Sequence, residues 1–199
     1  MKMKLVAISA AVAFSAAALP ASAAVFIVDA QANSSSGGAG LNTGLTFTAG
    51  DAFTVSSSLN DLWSAGALPR FSDGNGLTAT QRFAVAGDDS GQPVGTLIGG
   101  DYFGTWTQNG LTSNYGSLVG EIGGVFQTLG ANFAGPAWAS GTLQLYYWDS
   151  NNGDNSGAIA FDIAATAIPE PATWAMMLIG FGAAGVTMRR RKQIRVSFA

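Results

Sequence analysis

Between Gly157 and Ala165 the side chains alternate in character. In GAIAFDIAA, Ile159, Phe161 and Ile163 fall on one face of an extended chain, and Ala158, Ala160 and Asp162 on the other. The run SGTLQLYYWDS (140–150) alternates as clearly, and the polar loop DSNNGDNSG (149–157) lies between the two strands so predicted. AVFIVDAQA (24–32) predicts an opening strand. GLTFTAGDAFTVSSS (44–58) predicts two more around the turn signal Ala49-Gly50-Asp51. RFAVAG (82–87) and GSLVGEIGGVFQTLG (116–130) continue in the same manner, while 59–81 reads as long loops. No part of 24–168 keeps a helical period with caps. Short strands separated by Gly, Asn and Asp turns predict an all-β domain, a β-sandwich or jelly roll.

The two ends of the chain follow other rules. MKMKLVAISAAVAFSAAALPASA (1–23) has Lys2 and Lys4, an apolar run, and then Ala21-Ser22-Ala23. This is the layout of a secretory signal peptide, with cleavage expected between Ala23 and Ala24. At the other end, 172–188 is 17 residues without a charge. That is the short end of the roughly 17–25 residues needed to cross a bilayer, and it predicts one transmembrane helix. Pro171 suits a first helical position, Trp174 suits the membrane interface, and Arg189, Arg190, Arg191 and Lys192 form a basic block that stays cytoplasmic. Everything before Pro169 is then translocated.

The ordered set Pro169-Glu170-Pro171, Trp174-Ala175, GFGAAG and the Arg block resembles the PEP-CTERM sorting signal in its PEPxxWA form, over 169–192. The resemblance implies recognition by an exosortase, an integral-membrane cysteine protease-transpeptidase that cuts near Pro-Glu-Pro and releases or re-anchors the exported part. It also implies a Gram-negative host that makes exopolysaccharide, and a final location at the cell surface or in the matrix.

Removing both ends leaves 24–168, 145 residues and one domain by length. Its only cations are Arg70 and Arg82, against eleven acids, so its net charge is −9 where the whole chain carries −3. Such a surface repels nucleic acid and suits cation binding or solubility outside the cell. The chain has no Cys and no His. Disulfides, thiol nucleophiles, His-based acid–base catalysis and the usual zinc ligands are thereby excluded.

Within that body, TFTAGDAFTVSSSLNDLWSAG, YGSLVGEIGG and SGTLQLYYWDSNNGDNSGAIAFDI resemble the PA-IL-type calcium-dependent galactose-binding lectins, small β-sandwiches. In that family the last hairpin loop binds calcium and the sugar bridges to the ion. The resemblance implies Asp149, Asn151, Asp154 and Asn155 as calcium ligands. The family also uses a histidine for the sugar, and this chain has none. Read without the family, the loop offers Asp149, Asn151, Asn152, Asp154 and Asn155 as hard oxygen donors, of which calcium takes about six to eight. It lacks EF-hand spacing, and the same residues are also ordinary turn formers. Both readings stand at this point.

Asp88-Asp89 and Asp73-Gly74-Asn75-Gly76 are further acidic stretches, read as solvated loops. Trp63, Trp106, Trp138 and Trp148 either stack on sugar rings or fill the core. GDYFGTWTQNG (100–110) has no phosphate-loop spacing. These features together suggest a non-enzymatic exported protein with a calcium-dependent carbohydrate-binding module; its partners would be an exosortase, a glycan such as exopolysaccharide and, before processing, the membrane. The alternatives are a purely structural envelope or matrix component, or a polysaccharide hydrolase, since a glycosidase needs about two carboxylates.

Overall fold

A computed structural model describes residues 22–165, 177–182 and 184–185. The first of these segments contains fourteen strands and forms the compact unit. In chain order they are β1 (Ser22–Asp29), β2 (Leu41–Phe47), β3 (Ala52–Ser56), β4 (Trp63–Ser64), β5 (Phe71–Ser72), β6 (Arg82–Phe83) and β7 (Leu97–Gly99). There follow β8 (Thr105–Gln108), β9 (Leu111–Asn114), β10 (Leu118–Ile122), β11 (Val125–Thr128), β12 (Asn132–Pro136), β13 (Gly141–Tyr147) and β14 (Ser156–Ala165).

A six-stranded sheet runs β12-β3-β14-β4-β5, with β1 also on β14, and a four-stranded sheet runs β11-β10-β13-β2. All pairings between these strands are antiparallel. The strands β6-β7 and β8-β9 form separate two-stranded ribbons. The two large sheets share one core. Val28, Phe53, Val55, Ile159, Phe161 and Ile163 from the first meet Phe47, Leu118, Ile122, Leu143, Leu145 and Tyr147 from the second. The arrangement is the expected all-β sandwich.

Alternation explains why these residues make strands. Ile159, Phe161 and Ile163 are fully buried, while Ala160 and Asp162 between them are exposed. The strands expected in 44–58, 116–130 and 140–165 all form. Three expectations need correcting. The opening strand starts at Ser22 and ends at Asp29, because Asp29 turns the chain by accepting from the Gln31 and Ala32 amides at 2.9 and 2.7 Å. The strand expected over 82–87 shortens to Arg82–Phe83, because Asp88 draws the Val85 amide into a turn at 2.6 Å. The region 59–81 is not all loop: β4 and β5 extend the large sheet, and Trp63 sits at zero exposure against Tyr147 and Phe161, ring centroids 4.7 and 5.7 Å away.

At the C-terminus the described residues 177–182 and 184–185 are helical. Among the described residues no helix is long and apolar enough to cross a membrane. Most of the span expected over 172–188 lies outside them, as do Pro169, Glu170, Pro171, Trp174, Arg189, Arg190 and Arg191. Ala23 and Ala24, flanking the expected signal cleavage, pair with Ala164 and Ile163 on β14. A cut there leaves β1 from Ala24 to Asp29.

The two faces of β14 should respond differently to substitution. Phe161→Ala should cost about 3–5 kcal/mol in chemical denaturation of the full chain, by cavity formation. Ala160→Ser on the exposed face should stay within about 0.5 kcal/mol. Equal losses at both positions would contradict the register.

Candidate functional site

The 149–155 loop joins β13 to β14 and is held from outside by the 30–36 turn. Ser35 Oγ donates to the Asp149 carbonyl at 2.9 Å and accepts from the Asp149 amide at 3.1 Å. Asn152 Nδ2 reaches Gln31 O at 3.4 Å, and Asn155 Nδ2 reaches Ala30 O at 3.2 Å. Inside the loop, Asn151 Oδ1 accepts from the Gly153 amide at 3.1 Å while its Nδ2 donates to Asp154 Oδ1 at 3.3 Å. A loop so fastened presents its oxygens in fixed positions.

Asp149, Asn151 and Asp154 line one cleft of about 220 Å3, together with Ser150, Arg70, Phe103 and Tyr115. Asn155 is 5% exposed, and its Oδ1 has no hydrogen-bond partner. Asn152 turns away, toward Gln31 and Gly37. Three of the four expected ligands thus share a cleft, and the fourth holds a buried, unpaired acceptor.

Electrostatics mark the same place. Asp149 is 5% exposed, and burial raises its pKa. The Ser150 amide, the Asn155 side chain and the Asn151 amide partly offset that rise, and the neighbouring Asp154 carboxylate adds to it. Tyr147 is fully buried, its hydroxyl has no partner, and burial together with Asp149 and Asp154 pushes its pKa well up. Among the described residues no three His, Cys, Asp or Glu side chains gather to hold a metal. An ion here would rest on two carboxylates supplemented by amide and carbonyl oxygens, a donor set that suits calcium.

The cleft also has a wall that the sequence reading missed. Phe103 is 43% exposed, and its ring centroid lies 5.9 Å from that of Tyr115. The Arg70 guanidinium sits 4.1 Å from the Phe103 centroid, and its Nε is 3.4 Å from Asp101 Oδ2. The tryptophans nominated for stacking do other work. Trp63 and Trp148 are fully buried, with Nε1 donating to Gly116 O at 2.8 Å and to Trp106 O at 2.9 Å. Trp138 packs on Phe53 and Phe133, and Trp106 lies beside Tyr115. A signal for Phe103 was present in the sequence: Tyr102-Phe103 are large aromatics in a Gly-bounded stretch with no alternation to bury them.

Of the other acidic stretches, Asp88 caps its own turn. It accepts from the Ser90 hydroxyl at 2.6 Å and the Val85 amide at 2.6 Å, which lowers its pKa. Asp89 lies against Asp61, whose pKa rises mainly by burial and further through Asp89. Asp73 is the correction. It is not solvated but 6% exposed, because Arg82 pairs with it and the Asn75 amide donates to it at 2.8 Å.

Three comparisons with known proteins bear on this chain. Residues 167–192 match the family model for the PEP-CTERM protein-sorting motif, in agreement with the resemblance read from the tail. Among solved structures, the chain is similar to an EclA N-terminal domain described as a PllA-like lectin. The identity is 22%, the coverage 71% of this chain and 94% of that one, and the TM-score 0.44. No curated protein matches the chain.

The raised pKa of Asp149 fixes a sign. The folded, metal-free chain binds this proton more readily than the unfolded chain, where the ordinary value is 3.8. Stability from this group is therefore fully present below 3.8 and falls as pH rises through the raised folded value. In chelator, wild type should lose stability relative to Asp149→Asn as pH rises across that window, measured by urea denaturation. A difference of the opposite sign would contradict the site's electrostatics.

Proposed function

We propose that the chain is an exported protein, sorted and cut by an exosortase through its C-terminal motif, whose sandwich binds carbohydrate through a calcium ion held at the 149–155 loop. The observation that carries the binding half is the pairing of a buried carboxylate, Asp149, with a buried, unpaired amide oxygen, Asn155 Oδ1. Both are costly in an interior without a cation. Asp149, Asn151, Asp154 and Asn155 would hold the ion, and the ion would supply a positive centre for vicinal sugar hydroxyls. Phe103 and Tyr115 would give the sugar ring an apolar surface to lie against, as aromatic faces do.

The motif at 167–192 supports export through a membrane-bound intermediate. In this reading 172–188 spans the inner membrane until processing, and the mature protein reaches the surface or exopolysaccharide matrix of a Gram-negative cell. The module acts by binding and is not an enzyme.

Calcium at a hundredfold excess over Kd should raise the melting temperature of the full-chain protein by about 5–10 °C. Asp149→Asn should remove that shift, together with calcium-dependent retention on a glycan array. A melting temperature indifferent to millimolar calcium would refute the metal-dependent reading and leave the sorting half standing.

Replacing Pro169, Glu170 and Pro171 with alanine should leave the precursor uncut in its host, its mass extending to Ala199. Unchanged processing would refute exosortase recognition.

A further inference from the structure

Arg70 stands in the cleft of the 149–155 loop with most of its donors unspent. The 65–70 turn that carries it joins β4 to β5 and is closed at its base. The Ala65 amide donates to Arg70 O at 3.2 Å, and Ser64 Oγ donates to Gly66 O at 2.7 Å and to Arg70 O at 3.3 Å. The Asp101 amide donates to Pro69 O at 3.4 Å, which brings the 101–103 segment against the turn. From that segment the Phe103 ring stacks on the guanidinium, its centroid 4.1 Å from Cζ. Stacking fixes the guanidinium plane and leaves its N–H groups free to bond within that plane.

The two cations of the exported body are spent differently. Arg82 uses Nη2 on Asp73 and Nη1 on Leu59 O. Arg70 uses only Nε, on Asp101 Oδ2 at 3.4 Å, and among the described residues neither of its Nη atoms has a hydrogen-bond partner. Its side chain is 31% exposed and lines the same cleft of about 220 Å3 as Asp149, Asn151 and Asp154. Gly66 marks how near it comes to the loop. A Cβ there would lie 2.6 Å from Asp154 Oδ2 and 3.4 Å from Arg70 Nη1, yet among the described residues no ion pair joins Arg70 to Asp154. With no His in the chain and no Lys in the body, this open fork is the cation a ligand in the cleft would meet.

We propose that the cleft selects an acidic sugar, a hexuronate, whose carboxylate lies on the Nη edge of Arg70 while its ring hydroxyls turn to the calcium ion. The proposal rests on the calcium-holding reading of the 149–155 loop and names the class of sugar it takes. A carboxylate matches the guanidinium fork with two parallel, charge-assisted hydrogen bonds, whereas the hydroxymethyl group of a neutral hexose offers one uncharged acceptor. Asp101 does not compete for that edge, since it takes Nε, and an exposed pair of this kind contributes little. The acids elsewhere on the body oppose an anionic ligand only weakly, because salt screens charges beyond about 10 Å at 0.1 M. Inside the cleft the fixed guanidinium and the bound ion decide.

The test is titration calorimetry of the full-chain protein in calcium-containing buffer. The probes are methyl glycosides of glucose, galactose and mannose, each matched with the uronic acid that differs only in carrying a carboxylate for the hydroxymethyl group. At least one uronoside should bind about 10- to 100-fold more tightly than its neutral partner, the range of charge-assisted hydrogen bonds. Arg70→Gln should abolish that preference. Arg70→Lys, which keeps the charge and loses the fork, should retain only part of it. An Arg70 that merely held the cleft together would lower both affinities alike, so the ratio of the two separates the roles. Equal affinities in the wild type, no binding of any uronoside, or a preference that survives Arg70→Gln would overturn the proposal. Melting with and without calcium separates the two readings. A calcium-dependent shift without acid preference leaves the 149–155 site standing and removes this inference, and no shift removes both.

Discussion

A slip of β14 by one residue would turn Ile159, Phe161 and Ile163 out to water and put Asp162 into the core. The rest of the domain depends on this not happening. β14 pairs with β1 from Ala158 to Ala165, and with β4 and β3 at its two ends on the other side. Its first residues close the 149–155 loop, so the strand's register also sets where Asn155 and Asp154 stand. Once the three apolar side chains are buried, the loop's position relative to the 30–36 turn follows through Ala30 and Ser35.

Charge is the second constraint. The exported body holds two cations and eleven acids. Both cations are engaged by carboxylates, Arg82 by Asp73 and Arg70 by Asp101. Two other acids are buried without a cation. Glu121 is satisfied by neutral donors, the Gly124 amide and Gln144 Nε2. Asp149 has neutral donors too, yet burial and Asp154 still raise its pKa. A chain this short of Lys and Arg meets a buried acid with amides, with a proton or with a metal ion. The proposed calcium ion would also take the Asn155 oxygen left unpaired beside Asp149.

What was legible in the sequence follows from strand length. The runs at 44–58, 116–130 and 140–165 are long enough for period-two alternation to show, and each forms strands at nearly the expected places. Between 59 and 115 the strands are two to four residues long, too short for period-two alternation to show. The same division holds for the site. Asp149, Asn151, Asp154 and Asn155 are close in sequence, so their loop could be nominated. Phe103, Tyr115 and Arg70 reach the cleft from distant segments, and only the fold brings them there. Asp73 looked like a solvated turn because its partner, Arg82, enters from another strand.

Whether the protein is a processed, calcium-holding sandwich can be read from a native mass spectrum of the protein purified from its host. The chain should begin at Ala24, end at or near Pro169–Pro171 and carry one bound calcium ion that EGTA strips. A metal-free chain running on through Ala199 would contradict it.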